Sequence, residues 1–278
     1  RRKVTIDGME PARIGDAIGH LGAVVFSPAD VMIVNEGPAG RRRFLDIVLS
    51  LNQEGYLRSL QEFRHVLGQR NSALRSGRSD SEIRAWDDAL ARRAAPVMSA
   101  RHRWVTQWRE AFRGYYEAVS GGSSASMTYE PKVAVAEWEE EAVYQACLAA
   151  LQEGWSRDVR RRSTGVGPHR DELRFALTDD ESEVEMRQFG SGGQVRTAAL
   201  ALRLVEGDAV REARGSDPIL LLDDAFAELD EGRRERVMRL MDQGPFGQVI
   251  ITAPKESDVS IQENSLLRWG IKDGRIYA

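Results

Sequence analysis

Several residue types are scarce in this sequence, and each shortage excludes something. It holds a single cysteine, Cys147, so no internal disulfide can form, and its four histidines build no Cys/His cluster at zinc spacing. No stretch approaches about eighteen consecutive apolar residues, and the opening RRKVTIDGME has no apolar signal region; both predict a cytoplasmic chain with no membrane partner. Lysine is nearly missing. Of 39 basic residues only Lys3, Lys132, Lys255 and Lys272 are lysine, and the remaining 35 are arginine. Arginine's planar fork suits phosphate and carboxylate, although codon bias in a GC-rich genome explains the enrichment equally. The net charge of −4 confines any nucleic-acid contact to local basic patches.

What is present is an ordinary globular composition, 42% hydrophobic and 29% charged over 278 residues, enough for one large domain or two ordinary ones. Three zones follow one another. Residues 1–52 mix a hairpin around Asp7-Gly8, an apolar strand GAVVFS at 22–27, and a helix from about Arg41 carrying Phe44, Leu45, Ile47, Val48 and Leu51. The opening strand-and-turn pattern, beginning on arginine, looks like a start inside a fold, with an amino-terminal segment expected ahead of it.

Residues 53–164 are helix-rich, with Leu57, Leu60, Phe63, Leu67, Trp104, Trp108, Phe112 and Tyr115 recurring at three and four. The pattern predicts an antiparallel helical arm with an aromatic core stripe, broken by SGGSSAS at 120–126 and a short strand near 127–135. From 165 to 278 strands and helices alternate: LRFALT (173–178), EVEMRQF (183–189), a helix from 192, PILLLDD (218–224), a helix from 231, GQVIIT (247–252), and a hairpin in LLRWGIKDGRIYA (266–278). Short, continuously apolar strands between helices predict an α/β sheet with helices on both faces. Asp179-Asp180 reads as a turn between strands, and Trp269 as core or hairpin packing.

Two stretches carry chemistry. ILLLDD is an apolar strand that emerges in two carboxylates, where open α/β sheets bind ligands. Asp223 there can hold Mg²⁺ through water and Asp224 can polarise an attacking water; alternatively the pair ends a strand and caps a helix. GSGGQ places Ser191 as the N-cap of a helix with Ala198, Ala199, Leu202 and Val205 on one side, with Gly190, Gly192 and Gly193 leaving amides open at the positive end of the helix dipole. That is an anion site, or a plain glycine-rich loop. The order Gly-Ser-Gly-Gly-Gln, amphipathic helix, Asp-Asp strand, then AELD is a four-part match that chance explains poorly.

With these residues in place the chain resembles ABC-type ATPase heads, and more narrowly the RecF family of bacterial DNA-repair ATPases. The stretches that carry the resemblance are VVFSPADVMIV (24–34), GRRRFLD (40–46), QRNSALR (69–75), GPHRDEL (167–173) and LLLDDAFAELD (220–230). The resemblance implies an ABC-type head of two lobes with a helical arm inserted between them, the head being incomplete here. It implies that residues 24–34 form the Q-loop region, and that Ser191, Gly192, Gly193 and Gln194 form the signature that reaches the γ-phosphate of ATP in the opposite subunit. Asp230 becomes the D-loop residue at a dimer seam and Thr252 the switch beside the γ-phosphate, where transporter heads commonly have histidine.

A P-loop needs G-x-x-x-x-G-K-[ST], and none of the four lysines follows a glycine. This chain alone is therefore expected to be inactive as an ATPase. The resemblance further implies an ATP-dependent homodimer that binds double-stranded DNA near single-strand gaps, serves recombination and the SOS response, and works with the mediators RecR and RecO to load a recombinase. Arg41, Arg42, Arg43, Arg160, Arg161 and Arg162 are candidate DNA contacts, with a solvated face or an acidic partner within the fold as the alternative. His169 reads as part of a hydrogen-bond knot rather than a catalytic group. The competing readings are the head of a transporter or cohesin-like ATPase, which would want a switch histidine or a far longer insertion, and a non-enzymatic interaction module.

Overall fold

The computed structural model describes residues 4–10, 22–178, 182–226, 229–243, 246–254 and 267–277. In chain order the elements are β1 (Ala23–Phe26), a 3₁₀ turn (Pro28–Asp30), α1 (Val31–Asn35), α2 (Pro38–Asn52), α3 (Tyr56–Arg75), α4 (Asp80–Arg84), α5 (Asp87–Ser120), β2 (Ser124–Glu130), α6 (Glu140–Glu153), α7 (Trp155–Arg161), β3 (Glu172–Thr178), β4 (Glu183–Glu185), α8 (Met186–Phe189), α9 (Gly192–Arg214), β5 (Ile219–Asp223), α10 (Glu231–Gln243), β6 (Gln248–Thr252), β7 (Gly270–Lys272) and β8 (Arg275–Tyr277).

The element that positions the site is a parallel sheet in the order β1-β5-β6. Its register sets Val25 opposite Leu221, Leu221 opposite Ile250, and Asp223 opposite Thr252. Val24, Phe26, Leu220 and Leu222 point to one face and are buried, each stabilising the fold by about 1.5–3 kcal/mol. On the other face Val25 and Ile250 remain 47% and 41% exposed. Helix α9 is the spine of the molecule: nearly every residue from Val195 to Val210 is buried, and the helix packs on β1, α1, α2 and α5. Its alanines at 198, 199 and 201 have no side chain beyond Cβ, so neighbouring elements can approach closely.

The long helix α5 ends at Ser120 because Gly121 takes the left-handed conformation, φ 85°, that a helix C-terminus favours. Strand β2 then spans 124–130 rather than 127–135, since Pro131 has no N–H for a ladder. It pairs antiparallel with β3, so the expected helical arm and carboxy-terminal region share one sheet, β2-β3-β4, and α5 lies against α9. Trp104 and Phe112 are core, with Trp108 and Tyr115 packed against it, whereas Leu57 is exposed.

Two segments depart from the sequence reading. EVEMRQF is a strand for three residues only; Met186 then turns into the core, and a single helical turn, closed by the Gly190 N–H on the Met186 carbonyl, leads into α9. Trp269 is 61% exposed beside the β7–β8 hairpin, not core. Asp179 and Asp180 lie outside the described residues.

The helical region is fastened by two buried arginines. Arg70 of α3 donates to Asp87 of α5 at 2.8 Å and to Asp158 of α7 at 2.7 Å, and also to the Thr164 hydroxyl. Arg101 of α5 donates to Asp46 at 2.7 Å, to the Tyr56 hydroxyl at 3.1 Å and to the Pro168 carbonyl. Buried charges persist only when paired in this way. His169 completes the knot, its Nε2 lying 3.1 Å from the Thr164 carbonyl and its ring beside Phe63.

Burial pushes the His169 imidazole down from 6.5 to about 4, so it stays neutral in the fold while the unfolded chain takes up a proton below pH 6.5. Stability from this residue is therefore complete above that pH, is lost progressively as pH falls from 6.5 to about 4, by about 3 kcal/mol in all, and falls no further below 4. Urea denaturation at pH 7 and pH 4.5 checks this. His169→Gln should flatten that part of the pH dependence, and an unchanged slope would contradict the assignment.

Candidate functional site

Strand β5 is flanked by parallel neighbours on both edges, so Asp223 and Asp224 emerge at the carboxyl end of the sheet beside Thr252 of β6. Asp223 is exposed and its Oδ1 accepts a 2.5 Å hydrogen bond from the Thr252 hydroxyl. The Asp224 N–H is shared between the Thr252 carbonyl at 3.2 Å and the Thr252 Oγ1 at 3.3 Å. Asp224 adopts φ 48°, the left-handed region, which aspartate tolerates better than most residues but still at a cost of about 1 kcal/mol. Such a conformation persists because both of its backbone polar groups are held. The Asp224 carbonyl accepts from Arg196 Nη2 at 2.8 Å, and Arg196, on the second turn of α9, is buried.

The second constellation sits at the start of α9. Ser191 is the N-cap, its Oγ accepting from the Gln194 N–H, while Gln194 Oε1 accepts from the Ser191 N–H at 2.8 Å. This reciprocal box uses the amides of residues 191 and 194, and those of Gly192 and Gly193 are the ones a helix start leaves open. Ser191 and Gly192 are exposed. Gly193 lies close under Arg233: a Cβ there would meet the end of the Arg233 guanidinium and push that side chain aside. Arg233 in turn is fixed by Asp230, whose Oδ1 accepts the Arg233 N–H at 2.9 Å and whose Oδ2 lies 3.3 Å from Nε. Ser191, Gly193 and Asp230 thus come together through an arginine, Arg233, that sequence reasoning missed; Arg196 was missed too.

The arginine triplets separate. Arg41 is buried, paired with Glu172 through Nε at 2.7 Å and Nη2 at 3.0 Å, and donates to the Val34 and Glu36 carbonyls, so it is not available to DNA and the acidic-partner alternative holds for it. Arg42 is half-buried and donates to the Asp171 carbonyl. Arg43, Arg160, Arg161 and Arg162 are exposed, and none has an ion-pair partner among the described residues. A cavity of about 250 Å³ beside Arg41 is lined by Lys132, Arg174 and Arg187 against Glu130, Glu172 and Glu185. Its charges nearly balance, and neither Asp223, Asp224 nor Thr252 lines it.

No family model matches the chain. Among curated proteins it is 36% identical over 244 residues to a DNA replication and repair protein RecF from Gloeobacter violaceus, covering 86% of this chain and 64% of that protein. It is 34% identical over 288 residues to a protein of the same name from Roseiflexus castenholzii, covering 99% of this chain and 72% of that one. The chain thus spans roughly two thirds to three quarters of the length of these relatives. Among solved structures it matches the recombination mediator protein RecF-ATPrS of the RecFOR pathway with a TM-score of 0.81 and 28% identity, over 99% of this chain and 72% of that one.

Ser191→Ala removes the α9 cap and is expected to lower stability by about 1 kcal/mol. Ser191→Asp, which caps equally well, should leave the melting temperature within a degree or two of the parent. A large loss with aspartate would show that the hydroxyl does something other than cap.

Proposed function

The chain belongs to the RecF family of DNA replication and repair proteins, and on that premise we propose that it forms the signature and Walker B portion of a nucleotide-driven dimerisation switch acting on duplex DNA. One observation carries the reading: two half-sites of complementary sign occupy one chain, open helix amides at Gly192–Gly193 and paired carboxylates at Asp223–Asp224. Neither half alone suits a triphosphate with its metal. Juxtaposed across two copies, they do.

The donor set fits Mg²⁺ shared with a nucleotide. Among the described residues no group of three or more His, Cys, Asp or Glu could cage a metal, and Mg²⁺ ordinarily takes one or two carboxylates together with substrate phosphates. Asp223 would hold the ion through water, and the ion would supply charge neutralisation at the phosphates. Thr252 orients that carboxylate by donating to it. Asp224 aligns the attacking water, and Ser191, Gly192, Gly193 and Gln194 close on the γ-phosphate held by the partner copy. Asp230, anchored by Arg233, lies at the seam, and residues 24–34 serve as the Q-loop.

The DNA part of the proposal rests on charge. Arg43, Arg160, Arg161 and Arg162 offer exposed guanidinium groups for backbone phosphates, with sequence-independent and salt-sensitive binding. Duplex near single-strand gaps, the mediators RecO and RecR, recombinase loading and a cytoplasmic role in the SOS response complete the proposal by family membership.

Sedimentation with a slowly hydrolysed ATP analogue tests it, using protein that includes a phosphate-binding loop ahead of this chain. The parent should dimerise on nucleotide, and Ser191→Asp, which sets a negative charge where the γ-phosphate must sit, should remain monomeric while fully folded. Equal dimerisation of the two proteins would overturn the proposal.

A further inference from the structure

The two half-sites of one chain serve different nucleotides in the proposed dimer: Asp223 and Asp224 face the chain's own, and the signature turn faces its partner's. A hydrogen-bonded path nevertheless joins them. Thr252 donates to Asp223, the Asp224 N–H bonds back to Thr252, and the Asp224 carbonyl accepts from Arg196 one turn inside the signature helix. The middle of this path is a residue in a left-handed conformation, and its two backbone groups are held from opposite sides, by β6 and by α9.

We propose that Arg196 is a positioning residue that couples the two ATP half-sites of a chain, by tying the backbone at Asp224 to the start of α9 so that a shift in one repositions the other. Three observations support this. Arg196 is buried, so its guanidinium is held in place by its surroundings rather than sampling solvent. Its acceptor is a backbone carbonyl, so the tie acts on the φ/ψ state of Asp224 and not on the carboxylate that would meet the nucleotide. Arg233, which is held by Asp230, also lies close to Gly193 in the first turn of α9, so a shift of the helix start meets the side chain that Asp230 holds. Elements connected in this way have a physical route for energetic coupling, and coupling in one direction requires the same coupling in the other. The consequence for ATP rests on the function proposed above; the mechanical tie itself does not.

Amide hydrogen exchange on the chain as it stands, without nucleotide, separates the two. Thr252→Val loosens the β6 end of the path, removing the hydroxyl that donates to Asp223 and shares the Asp224 N–H while the Thr252 carbonyl still accepts from it. In the parent background it should speed exchange at Ser191 and Gln194, whose amides the cap holds, by about threefold, and in the Arg196→Met background, which keeps side-chain volume but removes the donor, it should have no effect there. Arg196→Lys, which can still reach a single carbonyl, should restore part of the response. The same acceleration in the parent and R196M backgrounds would overturn the proposal, as would none in either. Should R196M not fold, parent against R196K decides: identical responses at 191 and 194 and identical exchange at 224–225 would contradict a role for the guanidinium.

Discussion

Strand β5 is the constraint on which the rest depends. It is hydrogen-bonded to a parallel neighbour on each edge, with Leu220 and Leu222 fully buried in the core. A slip by one residue would turn Leu220 and Leu222 outward and carry Asp223 to the buried face, so burial fixes Asp223 and Asp224 at the sheet end. Asp223 can be polar and exposed, and Asp224 half-exposed, because Leu220 and Leu222 before them hold the strand in the core.

A second constraint is the placement of α9. The helix is buried over most of its length, and at its amino-terminal turn Ser191 and Gln194 cap each other and two glycine amides stay open. Arg196 reaches from the second turn to the backbone at Asp224, and Arg233, beside Gly193, is ion-paired with Asp230. The remoter networks around Arg70 and Arg101 act differently. They lock α3, α5 and α7 to the segment at 164–168 and give the helical region a single geometry, and they account for the motifs QRNSALR and GPHRDEL as fasteners rather than ligand contacts.

Much of this was legible in the sequence. The strands at 23–26, 172–178, 219–223 and 248–252 follow from apolar runs, and the Ser191 cap follows from a serine before glycines and a glutamine three residues later. Harder to read were features decided by tertiary contact. EVEMRQF alternates as a strand should, but its second half turns because Met186 finds the core. Arg41 sits in a triplet that reads as a basic patch, yet Glu172 lies 131 residues away in sequence and directly against it in space. Arg196 and Arg233 are two among 35 arginines, and no local spacing distinguishes them from the exposed ones. A chain so rich in one cation conceals which copies are structural.

The central claim is that each ATP site is built from two chains, and mixing two inactive proteins tests it most directly. Take Asp224→Asn and Ser191→Asp, each in protein that includes a phosphate-binding loop, and measure ATP hydrolysis separately and together. In a mixed dimer one site combines the intact carboxylates of one chain with the intact signature of the other, so hydrolysis should reappear on mixing although neither variant supports it alone. If the mixture stays as inactive as its components while both proteins remain folded, the composite site is contradicted.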